Sequence, residues 1–296
     1  CKLVALRVFT GAGGYGGDYA SDKDIASALI YAADNGIRVV NMSFGDVVAS
    51  PVMRDAVKYA YSKGVVMCAS AGNAGGEQQR YPAGYDEVIA TAATTRFDEI
   101  TPFSTRGFRV DLAAPGEAIV TTYPFYRGFY SATFGGTSAA AAHATGAAAL
   151  VLSQNPRLSP EQVRGILVST TDDIEDEGWD HSSGGGRLNL ARAVQAQGAP
   201  IAKILFPAYD AGIFPGDFPQ SRVPIIGTAI SPQFQHYELQ VRPGLSDRAT
   251  WQTLQPATTR QRLNDTLGFW NVSCLLYTSD AADDLLCVDL GGRRII

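Results

Sequence analysis

Residues 138–152 read Ser-Ala-Ala-Ala-Ala-His-Ala-Thr-Gly-Ala-Ala-Ala-Leu-Val-Leu, and no other stretch constrains the fold as strongly. Alanine is the best helix former, so the run is expected to be helical. Its apolar residues surround the axis instead of forming a stripe, and such a helix needs protein on every side. The rest of the chain must therefore supply layers around it. Over residues 1–197 short apolar runs alternate with segments of helical period, the pattern of a parallel sheet flanked by helices in three layers. Strands are expected over 3–8, 39–42, 65–69, 88–93 and 110–113. The first is followed by a glycine-rich loop.

The helices carry their own punctuation. Ser21 is a good N-cap for a helix that buries Ile25, Ala28, Leu29 and Ala32 and stops at Gly36. Ser50 followed by Pro51 opens a second, burying Val52, Ala56, Val57 and Ala60 before Gly64. Ser159 with Gln162 three residues on forms a capping box for a helix through Val168. Residues 187–194 read as a short closing helix.

After Gly198-Ala-Pro200 the helical period disappears. Alternating runs over 201–206, 223–230 and 237–242, with Trp251 beyond, read as the first strands of a β-sandwich-like segment. Residues 199–273 are thus expected to be an incomplete β domain. Residues 274–296 resemble two constant parts of a sequencing adapter translated in one frame, with Asp284 to Leu286 in the place of the variable index. They are expected not to be native. The chain opens with Cys1 directly in an apolar run, from which an N-terminally truncated fragment is expected.

Composition narrows the partners. The net charge of −5 and pI near 5.2 offer no basic surface to nucleic acid, and no apolar run is long enough to span a bilayer. The four cysteines, Cys1, Cys68, Cys274 and Cys287, have no metal-ligand or redox spacing, and Cys68 within Val65-Val-Met-Cys-Ala69 reads as a buried, inert thiol. The acidic stretch from Asp172 to Asp180 reads as a solvated loop.

Two segments carry chemistry. Gly135-Gly-Thr-Ser138 puts a serine in the first turn of the alanine-rich helix, where the dipole favours negative charge and the glycines admit a substrate backbone. By itself such a serine is more often an N-cap. Ala69-Ser-Ala-Gly-Asn73 follows a buried strand and so lies at the carboxyl edge of the sheet, where sites in α/β folds collect. Asn73 can offer its amide to a developing oxyanion, or it can be a turn asparagine.

Together and in order, these segments resemble the subtilisin-like serine peptidases. Five further stretches match that family: Lys2-Leu-Val-Ala-Leu-Arg-Val8, Asn41-Met-Ser-Phe-Gly45, Tyr81-Pro-Ala-Gly-Tyr85 with Val88-Ile-Ala90, Ala113-Ala-Pro-Gly116 and Gly184-Gly-Gly-Arg-Leu-Asn189. The resemblance implies a serine endopeptidase acting through an acyl-enzyme on Ser138, with Asn73 and the Ser138 N–H holding the oxyanion. It implies that Ser43, Phe44 and Gly45 pair with extended polypeptide substrate and that Ser70, Ala71 and Gly72 form the facing wall of a specificity pocket. Their small size suggests a pocket open to large apolar side chains. Ala139 and Ala142 depart from the methionine and proline usual after the nucleophile.

The family's aspartate and histidine motifs of the catalytic triad are not found in this sequence, and a serine without a base is a weak nucleophile. His143, five positions along the helix from Ser138, points away from it, and His181 and His236 lie elsewhere. The chain alone is therefore expected to be inactive. The second reading is a non-catalytic binding or structural homologue on the same scaffold. No cofactor is needed for the chemistry; structural calcium is usual in the family, and Ala83, Tyr85 and Val88 match positions that offer it carbonyls. Extracellular localisation is implied by the family, and the β segment resembles the immunoglobulin-like or fibronectin-type modules of large secreted bacterial proteins.

Overall fold

The computed structural model describes residues 1–9, 20–122, 130–198, 200–207, 218–232, 234–242, 252–272, 285–289 and 294–295. The glycine-rich loop at 10–17, Trp251 and residues 274–284 lie outside them. The chain divides into two compact units, one of Cys1–Glu175 with Asp180–Val194, the other of Asp176–Trp179 with Gln195–Ile296.

In the first unit, α1 (Asp22–Asp34) starts where Ser21 Oγ accepts the Asp24 N–H at 3.1 Å. After it come β1 (Val39–Met42), α2 (Pro51–Ser62), β2 (Val66–Ser70), β3 (Val88–Thr94) and β4 (Leu112–Pro115). These four strands form one parallel sheet in the order β1-β2-β3-β4. β2 and β3 are buried along their whole length. That is why they read as unbroken apolar runs: a parallel strand covered on both faces has no polar side to show. Ile25 and Leu29 of α1 and Met53, Val57 and Ala60 of α2 pack with Met67, Ala69 and Ala90 on one face. On the other, α3 (Thr137–Gln154) crosses all four strands and leans on α4 (Pro160–Ser169). Strand alternation sends the Cys68 thiol to this side, toward Thr145, and burial pushes that thiol up to about 12. The capping box is present, with Ser159 Oγ accepting the Gln162 N–H and Gln162 Oε1 accepting the Ser159 N–H. A hairpin of β5 (Ile119–Thr122) and β6 (Tyr130–Phe134) leads into α3, and α5 (Leu190–Gln195) comes last.

Several sequence expectations are corrected. Residues 3–8 form no strand: a ladder needs a neighbour, none is paired with them among the described residues, and Leu3 is 97% exposed. α2 buries Met53 and leaves Val52 exposed, a one-residue rotation of its face. α3 is buried through Ala140, Ala144, Ala148 and Val151 but leaves Ala142, His143, Gly146 and Leu150 exposed, because sheet and α4 cover only one side of it. The closing helix starts at Leu190 and not at 187. The backbone of Arg187 is already committed to a two-way bridge with Asp172, and Leu188 N–H bonds Ala113 O, so Asn189 caps the helix by accepting the Arg192 N–H.

In the second unit, β7 (Ile201–Phe206), β8 (Arg222–Ile230) and β11 (Arg262–Asn271) form an antiparallel sheet in the order β11-β8-β7. β9 (Tyr237–Arg242) pairs with β10 (Gln252–Thr258) and, on its other side, with β12 (Leu285–Asp289), which continues to β13 (Arg294–Ile295). Val223, Ile225, Tyr237, Leu239, Leu267 and Trp270 are its core, and Tyr237 OH donates to Leu267 O at 2.8 Å. An open edge accepts any extended backbone that reaches it, so the β12 pairing is indifferent to the sequence of residues 285–289.

Candidate active site

β2 ends at Ser70 and its continuation, Ala71-Gly-Asn73, runs to the leading end of α3. Gly72 sits at φ +121°, a conformation that spares only glycine, and its carbonyl accepts the Thr105 N–H at 2.9 Å while Gly75 N–H bonds Phe103 O at 2.8 Å. The turn carrying Asn73 is thus tied down on both sides.

The first helical residue completes the construction. Thr137, with no exposed surface, lends its amide N–H to Asn73 Oδ1 at 2.9 Å and its hydroxyl to the same oxygen at 2.8 Å, while Thr137 Oγ1 accepts the Gly72 N–H at 3.1 Å. With its carbonyl oxygen held twice, Asn73 keeps its NH2 group free: the described residues offer Nδ2 no hydrogen-bond acceptor, and it lies 3.1 Å from the point where a Cβ on Gly136 would stand. Gly136, at φ +112°, keeps that approach open. The Ser138 N–H belongs to the first turn, where no carbonyl lies a turn back within the helix, so it is a second unspent donor.

Ser138 is half-buried and locked to the end of β1. Its Oγ donates to Ser43 O at 3.3 Å and its carbonyl accepts the Ser43 hydroxyl at 2.8 Å. Asn41 Nδ2 donates to Ser43 Oγ at 2.9 Å and Asn41 Oδ1 accepts the Thr145 hydroxyl at 3.0 Å, which closes the circuit back to α3. Phe44 and Gly45 continue this wall, and Ser70 Oγ reaches across to Phe44 O at 3.5 Å. Of the eight residues singled out in the sequence, Ser43, Gly72, Asn73 and Ser138 are joined by hydrogen bonds at the start of α3, Ser70 is joined to Phe44, Ala71 links Ser70 to Gly72 along the chain, and Gly45 lies against Arg80 and Tyr81. Sequence reasoning passed over Thr137, whose only signal was to be a lone hydroxyl between glycine and the serine, and the Asn41–Thr145 bond, which has no signal at all in the linear chain.

His143 stands on the exposed side of α3 with Nδ1 2.9 Å from Ala139 O, one turn back. His181 is buried, with Nδ1 3.8 Å from Glu77 Oε1. Two of the three carbonyls suggested for calcium are engaged: Tyr85 O accepts the Val88 N–H at 3.0 Å, and Val88 O accepts the Arg164 guanidinium at 2.6 Å. A fixed positive charge on one of three ligands does not suit a divalent cation, and among the described residues no three acidic, histidine or cysteine side chains cluster as a metal site. Likewise, none of their helices is long and apolar enough to cross a membrane.

Replacing Thr137 by valine keeps the shape and removes the hydroxyl. It leaves Gly72 N–H without an acceptor and Asn73 Oδ1 with one bond, so the chain should lose about 1–3 kcal/mol of stability in urea unfolding. Thr137→Ser, which retains the hydroxyl, should recover most of it.

Comparison with known proteins gives the chain's family and fold. Thermitase from Thermoactinomyces vulgaris is 39% identical over 194 residues, covering 66% of this chain and 65% of thermitase. Fervidolysin from Fervidobacterium pennivorans is 36% identical over 214 residues, covering 66% of this chain and 31% of fervidolysin, and subtilisin DY from Bacillus licheniformis is 39% identical over 198 residues, covering 66% and 68%. The chain thus spans about two thirds of thermitase and a third of fervidolysin. Among solved structures, the prenylagaramide maturation protease PagA superposes with a TM-score of 0.54 at 26% identity, covering 60% of this chain and 68% of that one. A lanthipeptide protease at 24% identity, covering 64% and 68%, shares the fold with a TM-score of 0.56. Residues 1–186, well over half of the chain, match the Subtilase family (Peptidase_S8), and the chain belongs to that family.

Proposed function

We propose that this chain carries the nucleophile and oxyanion half of a serine endopeptidase that cleaves polypeptides by acyl transfer. Ser138 Oγ attacks the scissile carbonyl, and Asn73 Nδ2 with the Ser138 N–H receives the negative charge that develops on its oxygen. The roles are those for which subtilisin is the established example, and they are carried over from it. What carries the reading here is the double anchoring of Asn73 Oδ1 by Thr137, which leaves an amide donor fixed at the same helix end as the Ser138 hydroxyl. Donors fixed before the reaction stabilise the tetrahedral intermediate without reorganising. A purely structural module has no use for a buried threonine that immobilises an exposed asparagine with its donor unspent, which disfavours the non-catalytic alternative. An extended substrate lies along Ser43, Phe44 and Gly45, with the side chain preceding the scissile bond between that wall and Ser70, Ala71 and Gly72. The family relationship also supports an exported protein.

The proposal includes inactivity of the chain by itself. Ser138 Oγ donates to a carbonyl, Ser43 O, and His143, the histidine nearest to it in the chain, is turned to its own helix backbone. Without a base, acylation is slow. The test is chemical rescue with a peptidyl p-nitrophenyl ester, with acylation sites mapped by mass spectrometry. Alone, the chain should show no hydrolysis above a Ser138→Ala control. Added imidazole should yield an acyl group on Ser138, absent in Ser138→Ala and reduced at least about tenfold in Asn73→Leu. Rapid Ser138-dependent turnover without imidazole would overturn the inactivity, and failure to acylate Ser138 in its presence would overturn the nucleophile assignment.

A further inference from the structure

Gly45 and Gly72, one on each wall of the proposed substrate pocket, face the same side chain. An added Cβ on Gly45 would stand 3.3 Å from Arg80 Cβ, and one on Gly72 would stand 2.8 Å from Arg80 Cγ. The segment is fixed there because Tyr81 and Asp46 exchange both backbone hydrogen bonds, at 2.7 and 2.9 Å. The stem of Arg80 therefore closes the slot between the walls. The missing side chains at Gly45 and Gly72 are what make room for that stem.

The Arg80 guanidinium is not used internally. Arg80 Nε is buried without a hydrogen-bond partner, and no ion pair of Arg80 is present among the described residues. Beside it, Thr105 is 3% exposed and its Oγ1, 2.7 Å from the same Gly72 Cβ position, is likewise without a partner. Two orphaned buried donors on one side of one glycine are costly unless something else supplies an acceptor. Arg80, Thr105 and Ala71 line a common cavity of about 30 Å³ with Glu77, Arg106 and Arg109. Its remaining walls include Ala83, Ala90, Phe108 and Val110, which are apolar. Its charge is positive on balance: Arg109 is bound to Asp86, Arg106 is exposed, and the one acid, Glu77, is 61% exposed and faces His181.

We propose that Arg80, assisted by Thr105, determines the substrate preference of this site by binding the carboxylate of an aspartate or glutamate immediately before the scissile bond. Guanidinium and carboxylate fit as a planar two-bond pair, and the hydroxyl supplies a third donor. The inference rests on the peptide-binding reading above and names the substrate class that reading leaves open.

Binding, unlike turnover, can be measured on the chain as it stands. Three fluorescent peptides identical except for Glu, Leu or Lys before the intended scissile bond are titrated by anisotropy. The Glu peptide should bind about tenfold more tightly than Leu, with Lys weakest. Arg80→Glu should reverse the order of Glu and Lys, and Arg80→Met should bring Glu down to the level of Leu or below; the second variant, close in volume, preserves the packing against Gly45 and Gly72 if the first fails to fold. Binding of all three peptides with Leu equal to or tighter than Glu would overturn the assignment to Arg80 and leave the cleft standing. Absence of binding by every peptide would overturn the cleft itself and the preference with it.

Discussion

A chain with Gly186 replaced by alanine is expected not to reach a stable native state. Gly186 lies at φ +116°, and a Cβ there would overlap the carbonyl oxygen of Asp172, with the carbonyl carbon at 2.9 Å. These are backbone atoms and have no rotamer to retreat into. The same few residues hold the return of the chain onto the sheet. Asp172 and Arg187 exchange both backbone bonds at 2.8 and 2.7 Å, and Ala113 N–H bonds Gly186 O at 2.9 Å. Relief of the overlap must break some of these at about 1 kcal/mol each, on top of about 1–3 kcal/mol for the disfavoured φ. A total of about 4 kcal/mol or more takes a large share of the ~5–15 kcal/mol that such a domain has in all. Gly76→Ala is the matched control: its φ is +62° and nothing lies within 4 Å of an added Cβ, so it should cost only about 1 kcal/mol. Thermal melts of the two variants within a few degrees of each other would show that the Asp172–Arg187 bridge yields easily.

The second large effect is expected at Arg164. Its Nε lies 3.6 Å from Asp111 Oδ1, its NH2 donates to Val88 O at 2.6 Å, and Asp111 Oδ2 accepts the Ala90 N–H at 2.7 Å. The pair thereby ties α4 to β3 and to the residues entering β4. Arg164→Met fills similar space but strands the carboxylate, a change that costs about 3–5 kcal/mol at neutral pH. The loss should depend on pH in a definite direction. Burial raises the Asp111 carboxyl above its ordinary value, while Arg164 and the Ala90 N–H pull it back in part. A carboxyl with a raised folded-state pKa binds more protons folded than unfolded, so stability falls as pH rises from 3.8 through the raised value and stays lower above it. Removing Arg164 pushes the folded value higher still and widens that window. The deficit of Arg164→Met, measured by urea unfolding, should therefore shrink as pH falls from neutral toward the acid side. A deficit that stays constant or grows would mean that packing and the Val88 bond, and not the stranded charge, are what the arginine supplies.

Both predictions concern positions whose importance the linear chain hardly shows. Gly184-Gly-Gly186 stands out as a motif, but only the overlap with Asp172 explains why its last glycine cannot change. Arg164 reads as one more polar residue on the outer face of an amphipathic helix, and its partner, 53 positions earlier by the numbering, belongs to a strand entrance. Caps and turns were legible because their physics is local: Ser21, Ser50 and the Ser159–Gln162 box each bind an amide within three residues. Central strands were legible because burial on both faces removes polar residues from them.

What failed was long-range. The apolar alternation of residues 3–8 says that a strand could form, but a strand exists only with a neighbour, and pairing is decided by what lies alongside. The alanine-rich helix is apolar all round, yet the share of it that is covered depends on which elements reach it, and sheet and α4 reach one side. Residue 187 looked helical until its backbone was claimed by Asp172, fifteen positions earlier.

The order of residues alone was enough to establish the layered α/β architecture of residues 1–197 and the all-β character of residues 201–272, and to single out Ser138 and Asn73 as candidates, because period, capping and motif act over a few residues. Folding in three dimensions was needed to make Thr137 clamp Asn73, to lock the two walls together through Ser43 and Ser138, and to turn the unpaired donors of Arg80 and Thr105 toward one pocket. Those relations are distances between residues 25 to 95 positions apart, and no local rule of chain geometry specifies a distance of that kind.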